Sequence, residues 1–255
     1  MQETLTYYKY KNFKSNMKNS NFTKIFKVFL ITFSIIFMLI ILKQSFSYKT
    51  NYNKKRTYYL LSLNQTNNIG LVNQTKDAAN EYVGESYVFK NNEVYHIIGF
   101  VYDNLSDAEN FLNVVKKSFV QAKVIKLTQP KIKNKINTKI KENFYLKNAY
   151  KFHINLPDKL LNSLKKIEQN DNLSYIYKKL TEIELALSQN LNNLKEINQD
   201  ELCKEIFASI SLVNDYIKSC KQNIIVGDNL INKTKELYLK CFFEINNLKV
   251  NLNKL

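Results

Sequence analysis

An apolar run from Ile25 to Leu42 constrains this chain more than any other feature; it reads IFKVFLITFSIIFMLIIL, with Lys27 as its only charge and Lys43 closing it. At a helical rise of about 1.5 Å per residue the run covers roughly 27 Å, close to the roughly 30 Å of hydrocarbon in a bilayer, and the two lysines can snorkel to its surfaces. The run predicts a transmembrane helix over residues 25–43. A cleavable signal peptide is the competing reading, with Ser45-Phe46-Ser47 as a small-residue cleavage site, but the long segment 1–24 and the length of the apolar core favour an uncleaved anchor. Lysines flank the run on both sides, so the positive-inside rule barely discriminates. The layout of a short basic tail, one span and a long remainder predicts a single-pass cell-membrane protein with its N-terminus cytoplasmic and its bulk outside the cytoplasm.

Only four Gly and two Pro occur in 255 residues. So few turn formers argue against a many-turned sandwich or barrel and favour long helices. Lys and Arg number 38 against 22 Asp and Glu, a formal charge of +16. Such an excess speaks to partners rather than to fold. The lysines are spread along the whole chain without a zinc-finger, RNP or helix-turn-helix signature, so no nucleic-acid partner is expected. Cys203, Cys220 and Cys241 are too few and odd in number for a disulfide framework; they fall near apolar helical faces and are expected to be unbridged small core residues.

Beyond the anchor, residues 57–128 alternate strand-like and helix-like patterns. TYYLLSL (57–63) is β-branched, aromatic and aliphatic, as in a strand. In residues 69–83 Leu71, Val72, Thr75, Ala78, Ala79 and Tyr82 recur at helical spacing. ESYVFKNNEVYHIIGFVY splits at Asn91-Asn92 into a hairpin. A helix from Asn104 to Phe119 is expected to open with a capping box, Ser106 and Glu109, and to bury Ala108, Phe111, Leu112, Val115 and Phe119. AKVIKLT (122–128) closes the series. The order strand, helix, strand, strand, helix, strand predicts a βαββαβ ferredoxin-like unit.

Residues 129–156 are densely basic, and their isoleucines and Phe144 fall four apart. They read either as a solvated linker, the favoured reading, or as a lysine-rich amphipathic helix lying on anionic lipid. From Pro157 onward the pattern is helical. Leu173, Leu180, Leu187 and Leu194 sit seven apart, interleaved by Ile176, Ile183, Asn190 and Ile197. A second stripe runs from Ile206 to Ile224, and a third from Leu230 to Leu252 after Gly227-Asp228. Short connections between them predict an antiparallel helical bundle over 157–255, with a parallel oligomeric coiled coil as the alternative. The predicted fold class is therefore α+β: tail 1–24, anchor 25–43, βαββαβ module 57–128, linker 129–156 and bundle 157–255.

No Gly-rich phosphate loop, CxxC, HExxH or GxSxG motif occurs, and His96 and His153 have no evident metal or triad partner in the sequence. No catalytic residue, metal site or cofactor is expected.

The stretch Tyr58 to Leu127 resembles the SPOR domain, the sporulation-related repeat. The likeness is carried by Tyr95-His96-Ile97-Ile98-Gly99-Phe100-Val101-Tyr102 followed by Ser106-Asp107-Ala108-Glu109, and more faintly by Tyr58-Tyr59-Leu60-Leu61 with Asp77-Ala78-Ala79. The resemblance implies a non-enzymatic envelope protein that binds peptidoglycan glycan strands on an open sheet face, in sporulation or cell division. With Leu60 and Ile97 toward the helices, alternation leaves Tyr59, Leu61, His96, Ile98 and Phe100 as the glycan- or partner-binding face. The family commonly carries Gln where Leu61 stands and Gly where Leu63 stands. So apolar a face suits a hydroxyl-rich ligand poorly; the alternatives are that it packs on another protein surface or on the C-terminal helices, and the alternative function is a membrane scaffold that uses the sheet and bundle to bind an envelope protein without glycan.

Overall fold

Aromatic and aliphatic side chains in near-unbroken succession from Tyr58 to Leu63 suit a strand buried on both faces. Strand β1 (Arg56–Thr66) has that environment, with Leu60, Leu61 and Leu63 all buried. The computed structural model describes residues 55–170, 173–197, 200–225 and 229–255. β1 is an inner strand of a four-stranded sheet of order β2-β3-β1-β4, with β2 Tyr87–Asn91, β3 Val94–Tyr102 and β4 Lys123–Gln129. Every neighbouring pair is antiparallel. β2 and β3 turn through Asn92, whose φ of 53° lies in the left-handed region that asparagine tolerates.

Helix α1 (Val72–Val83) joins β1 to β2, and α2 (Leu105–Val115) joins β3 to β4. Gly84 ends α1 at a φ of 76°, and a Cβ there would overlap the Asn232 carboxamide, so conformation and close approach both select glycine. α2 is capped by Asn104, whose side chain accepts from the Ser106 N–H at 2.9 Å, in place of the expected Ser106–Glu109 box. Both helices cover one sheet face, where Leu61, Leu63 and Ile97 meet Ala79, Val115 and Ala122.

The rest of the described chain is helical: α3 (Asn134–Glu142), α4 (Phe144–Ile154), α5 (Leu156–Asn170), α6 (Leu173–Lys195), α7 (Glu201–Ile225) and α8 (Leu230–Leu252). α8 is the central helix of the described unit. It packs on α7 and α5 and lies against the sheet face that α1 and α2 leave free. Its apolar residues are not confined to one stripe: Leu237, Tyr238, Leu239, Cys241, Phe242 and Phe243 are all buried. A helix whose apolar residues spread beyond one stripe has more than one face to bury.

These observations correct the expected architecture. The described chain is a mostly helical body built around a four-stranded antiparallel sheet, and among the described residues no helix is long and apolar enough to cross a membrane. The predicted tail 1–24 and anchor 25–43 lie outside the described residues. Sheet module and bundle are not two domains, because Tyr52–Leu255 forms one compact unit and Leu60, Ile98 and Val101 share a core with α8. Residues 129–156 are not a solvated linker. They form the end of β4 and helices α3 and α4, and Ile132, Ile136 and Ile140 turn into the core. Those isoleucines are therefore not free to face lipid either. The heptad residues Ile176, Leu180, Ile183, Leu187 and Leu194 are buried within the same chain, with α6 against α4 and α7.

Candidate functional site

The five residues assigned from sequence to an open sheet face do not form one. Leu61 is 1 % exposed and belongs to the core under α1 and α2, whereas Ile98 is 0 % exposed and belongs to the core shared with α8. Tyr59 is half-buried in the ladder between Tyr102 and Lys126. His96 is buried with its Nδ1 3.4 Å from the Ser62 hydroxyl; burial, and secondarily the charge of Lys123, lower its pKa. Phe100 meets the ring of Tyr238 at 5.5 Å. Simple alternation misassigned this set because the β1–β3 register shifts between Leu61 and Ser62 and again between Ser62 and Asn64. At that irregularity Gly99 is opposed by Leu63, whose Cδ1 would lie 2.8 Å from an added Cβ.

What occupies the second sheet face is a row of rings from α8. Tyr87 stacks on Phe243 with centroids 4.3 Å apart and planes 8° from parallel, and Phe89 stacks on the same ring at 5.2 Å. Tyr58 meets Phe242 edge-on at 4.9 Å. Polar contacts rim this contact at both ends. At one end the Lys233 ammonium lies 3.1 Å from the Glu85 carboxylate, and Lys235 donates to the Val83 carbonyl at 2.6 Å, satisfying a carbonyl at the negative end of α1. At the other end Lys249 donates to Gln129 Oε1 at 2.8 Å beside the Arg56–Asp158 ion pair of 3.0 Å. Burial pulls the pKa of Lys235 down to about 8, with Glu85 opposing. It does the same to Lys249, reinforced by the Arg56 charge and opposed by Asp158, again to about 8.

His153 on α4 is fully buried, with Nε2 2.8 Å from the Ser209 hydroxyl of α7, and burial lowers its pKa to about 3. The pair ties two helices together in the interior, and Ser209 is itself buried. All three cysteines are free and buried; burial raises the Cys220 pKa to about 12, and its Sγ lies 3.5 Å from the Lys233 carbonyl across the α7–α8 contact. Among the described residues no cluster of His, Cys, Asp and Glu is arranged to hold a metal ion.

Exposed apolar surface collects elsewhere, on the outward sides of α1 and α2. Tyr82 is 69 % exposed and Val114 62 %, and Ile69, Phe111 and Val120 on the same segment of chain are exposed as well. Tyr82 contacts Phe119 edge-on at 5.4 Å, which joins the end of α1 to the end of α2. Sequence periodicity counts Leu71, Tyr82 and Phe111 as core, yet in the structure α1 buries only Val72 and Ala79, and α2 only Ala108 and Val115. Of the other residues that periodicity counts as core, Ala78 is exposed while Leu112 and Phe119 pack against the buried cluster, so the helical face the sheet covers is narrower than the sequence stripe. Residues 69–120 carry an acidic excess in sequence, Asp77, Glu81, Glu85, Glu93, Asp103, Asp107 and Glu109 against Lys76, Lys90, Lys116 and Lys117, although Glu85 is turned to Lys233 of α8. The SPOR likeness rests on the residues quoted for it alone: no family model, no curated protein and no solved structure matches the chain.

Proposed function

We propose that this protein is a non-enzymatic scaffold at the cell membrane that recruits a partner protein through the outward side of α1 and α2, without a glycan site on its sheet. The observation that carries the reading is the contrast in exposure between Ile98, 0 %, and Val114, 62 %. The apolar surface that a ligand can reach is on the helices and not on the sheet. Exposed large apolar side chains gathered on two neighbouring helices are characteristic of protein interfaces. The acidic excess of residues 69–120, seven carboxylates against four lysines, favours a partner of net basic charge. Peptidoglycan binding through the sheet would require α8 to leave it and to expose Phe242, Phe243 and Tyr238 together.

The test places a photo-crosslinking phenylalanine analogue at Val114 of the full chain in cells. The reading expects one discrete protein adduct that disappears with Tyr82→Ser, while the purified full chain stays in the supernatant when amidase-treated sacculi are pelleted. Retention on sacculi with no adduct at Val114 overturns it.

A further inference from the structure

We infer that the outward surface of α3 and α4 docks on anionic lipid headgroups, with Phe144 and Tyr145 as its interfacial anchors. Residues 131–151 carry Lys131, Lys133, Lys135, Lys139, Lys141, Lys147 and Lys151 against a single carboxylate, Glu142. All but Lys151 are exposed, and among the described residues none of the seven ammonium groups is within ion-pair distance of a carboxylate. The segment is held rigidly. Ile132, Ile136, Ile140 and Leu146 are buried beneath it, and Asn253 clamps its start by accepting from the Lys133 N–H at 2.9 Å and donating to the Lys131 carbonyl at 3.1 Å.

Between the two helices Asn143 is extended, with φ −98° and ψ 118°, and its side chain accepts from the Leu146 N–H at 3.0 Å to cap α4. This break turns Phe144 and Tyr145 out of the helical ladder into the first turn of α4, where Phe144 is 69 % exposed and the two rings meet edge-on at 5.7 Å. An aromatic pair set among lysines matches the chemistry of a headgroup layer. Rings favour the interface between hydrocarbon and water, and each lysine near an anionic surface contributes about 1 kcal/mol. The apolar outward side of α1 and α2 carries the opposite charge balance, so an anionic membrane discriminates between the two surfaces. The docking differs from an amphipathic helix lying in the bilayer, because the isoleucine faces stay in the protein core and only the two rings and the lysines touch lipid.

The inference uses the membrane location proposed above, and the experiment separates the two. The chain has no tryptophan, so Phe144→Trp in the full chain gives a single reporter at an exposed site. The protein is added to phosphatidylcholine vesicles and to vesicles in which part of the phosphatidylcholine is replaced by phosphatidylserine; flotation reports membrane association and emission reports the environment of the indole. Docking predicts a blue shift, and quenching by brominated acyl chains, only with phosphatidylserine and reversed by high salt. Lys139→Gln, Lys141→Gln and Lys147→Gln together lower the docked-to-undocked ratio by about a hundredfold. Failure to float with phosphatidylcholine removes constitutive membrane attachment but not the docking, provided that phosphatidylserine vesicles still shift the emission. Flotation with both vesicle types and an unshifted indole overturns the docking alone. An indole that responds to added polyuridylic acid and not to phosphatidylserine overturns it in favour of a nucleic-acid surface.

Discussion

The two faces of the sheet are both covered, but by different means. Under α1 and α2 the contact is aliphatic: Ala79 and Val115, with Val83 and Leu112 packed beside them, meet Leu61, Leu63 and Ile97, while Tyr82, Phe111 and Val114 stay outside. Under α8 the contact is made with rings: Phe243 on Tyr87 and Phe89, and Phe242 on Tyr58. The aromatic contact is rimmed at both ends by lysine-centred polar groups that include Lys235 and Lys249. The first face is a local arrangement in which each helix follows a strand of the same sheet. The second joins residues more than 100 positions apart, such as Gln129 and Lys249. A strand module whose second face is filled from the far end of the chain cannot offer that face to a ligand while folded.

The largest effect expected from this contrast is on stability. Phe243→Ala removes the ring shared by Tyr87 and Phe89 and should cost about 3–5 kcal/mol in denaturant unfolding. Phe111→Ala, the same chemistry on the exposed side of α2, should cost no more than about 0.5 kcal/mol. Equal losses would mean that α8 does not hold the sheet as described. On the first face Gly99→Ala forces a Cβ against Leu63 and should cost about 1–3 kcal/mol. A double mutant with Leu63→Ala should cost less than the sum of the two single changes, and strict additivity would place the two residues out of contact.

A smaller effect distinguishes the faces by pH. In the folded protein Lys249 loses its proton near pH 8, whereas in the unfolded chain it keeps it to about 10.5. Between these values the unfolded chain binds more protons, so this lysine makes folding more favourable as pH rises. Measured from pH 8 to about 9.5, below the usual range of tyrosine ionisation, stability should climb by on the order of 1 kcal/mol. Lys235, also lowered to about 8, contributes a second climb in the same window, so Lys249→Met should remove about half of it and Lys249→Met with Lys235→Met should flatten it; an unchanged slope in the double variant would assign the titration to another group. The smallest expected effect on folding is that of Tyr82→Ser, within about 0.5 kcal/mol of the parent, although the same change should abolish the crosslink from Val114.

The local elements were readable because their signals are local. The β-branched, aromatic and aliphatic run Thr57 to Leu63 has strand composition, Asn91-Asn92 marks a turn, and the stripe from Ile206 to Ile224 has helical period. The site was not readable, since alternation assumes a regular ladder and the register shifts at Ser62. Treating residues 129–156 as a linker gave weight to their lysines and too little to Ile132, Ile136 and Ile140, whose spacing of four is that of a buried helical face. The destination of α8 was in principle visible: Leu237, Tyr238, Leu239, Cys241, Phe242 and Phe243 exceed what one stripe of a bundle can bury. That excess needs a second apolar surface, and the uncovered side of the sheet supplies it.

Closure of the aromatic sheet face is the claim on which the rest depends, and thiol accessibility tests it most directly. With Cys203, Cys220 and Cys241 replaced by alanine, a single cysteine is introduced at Ile98 in one full-length variant and at Val114 in another. The native proteins are then treated with a maleimide. The structure predicts that the Val114→Cys thiol reacts at once and the Ile98→Cys thiol only after denaturant is added. Comparable rates at the two positions in a protein that retains its native circular dichroism would contradict the account, for the sheet face would then be open.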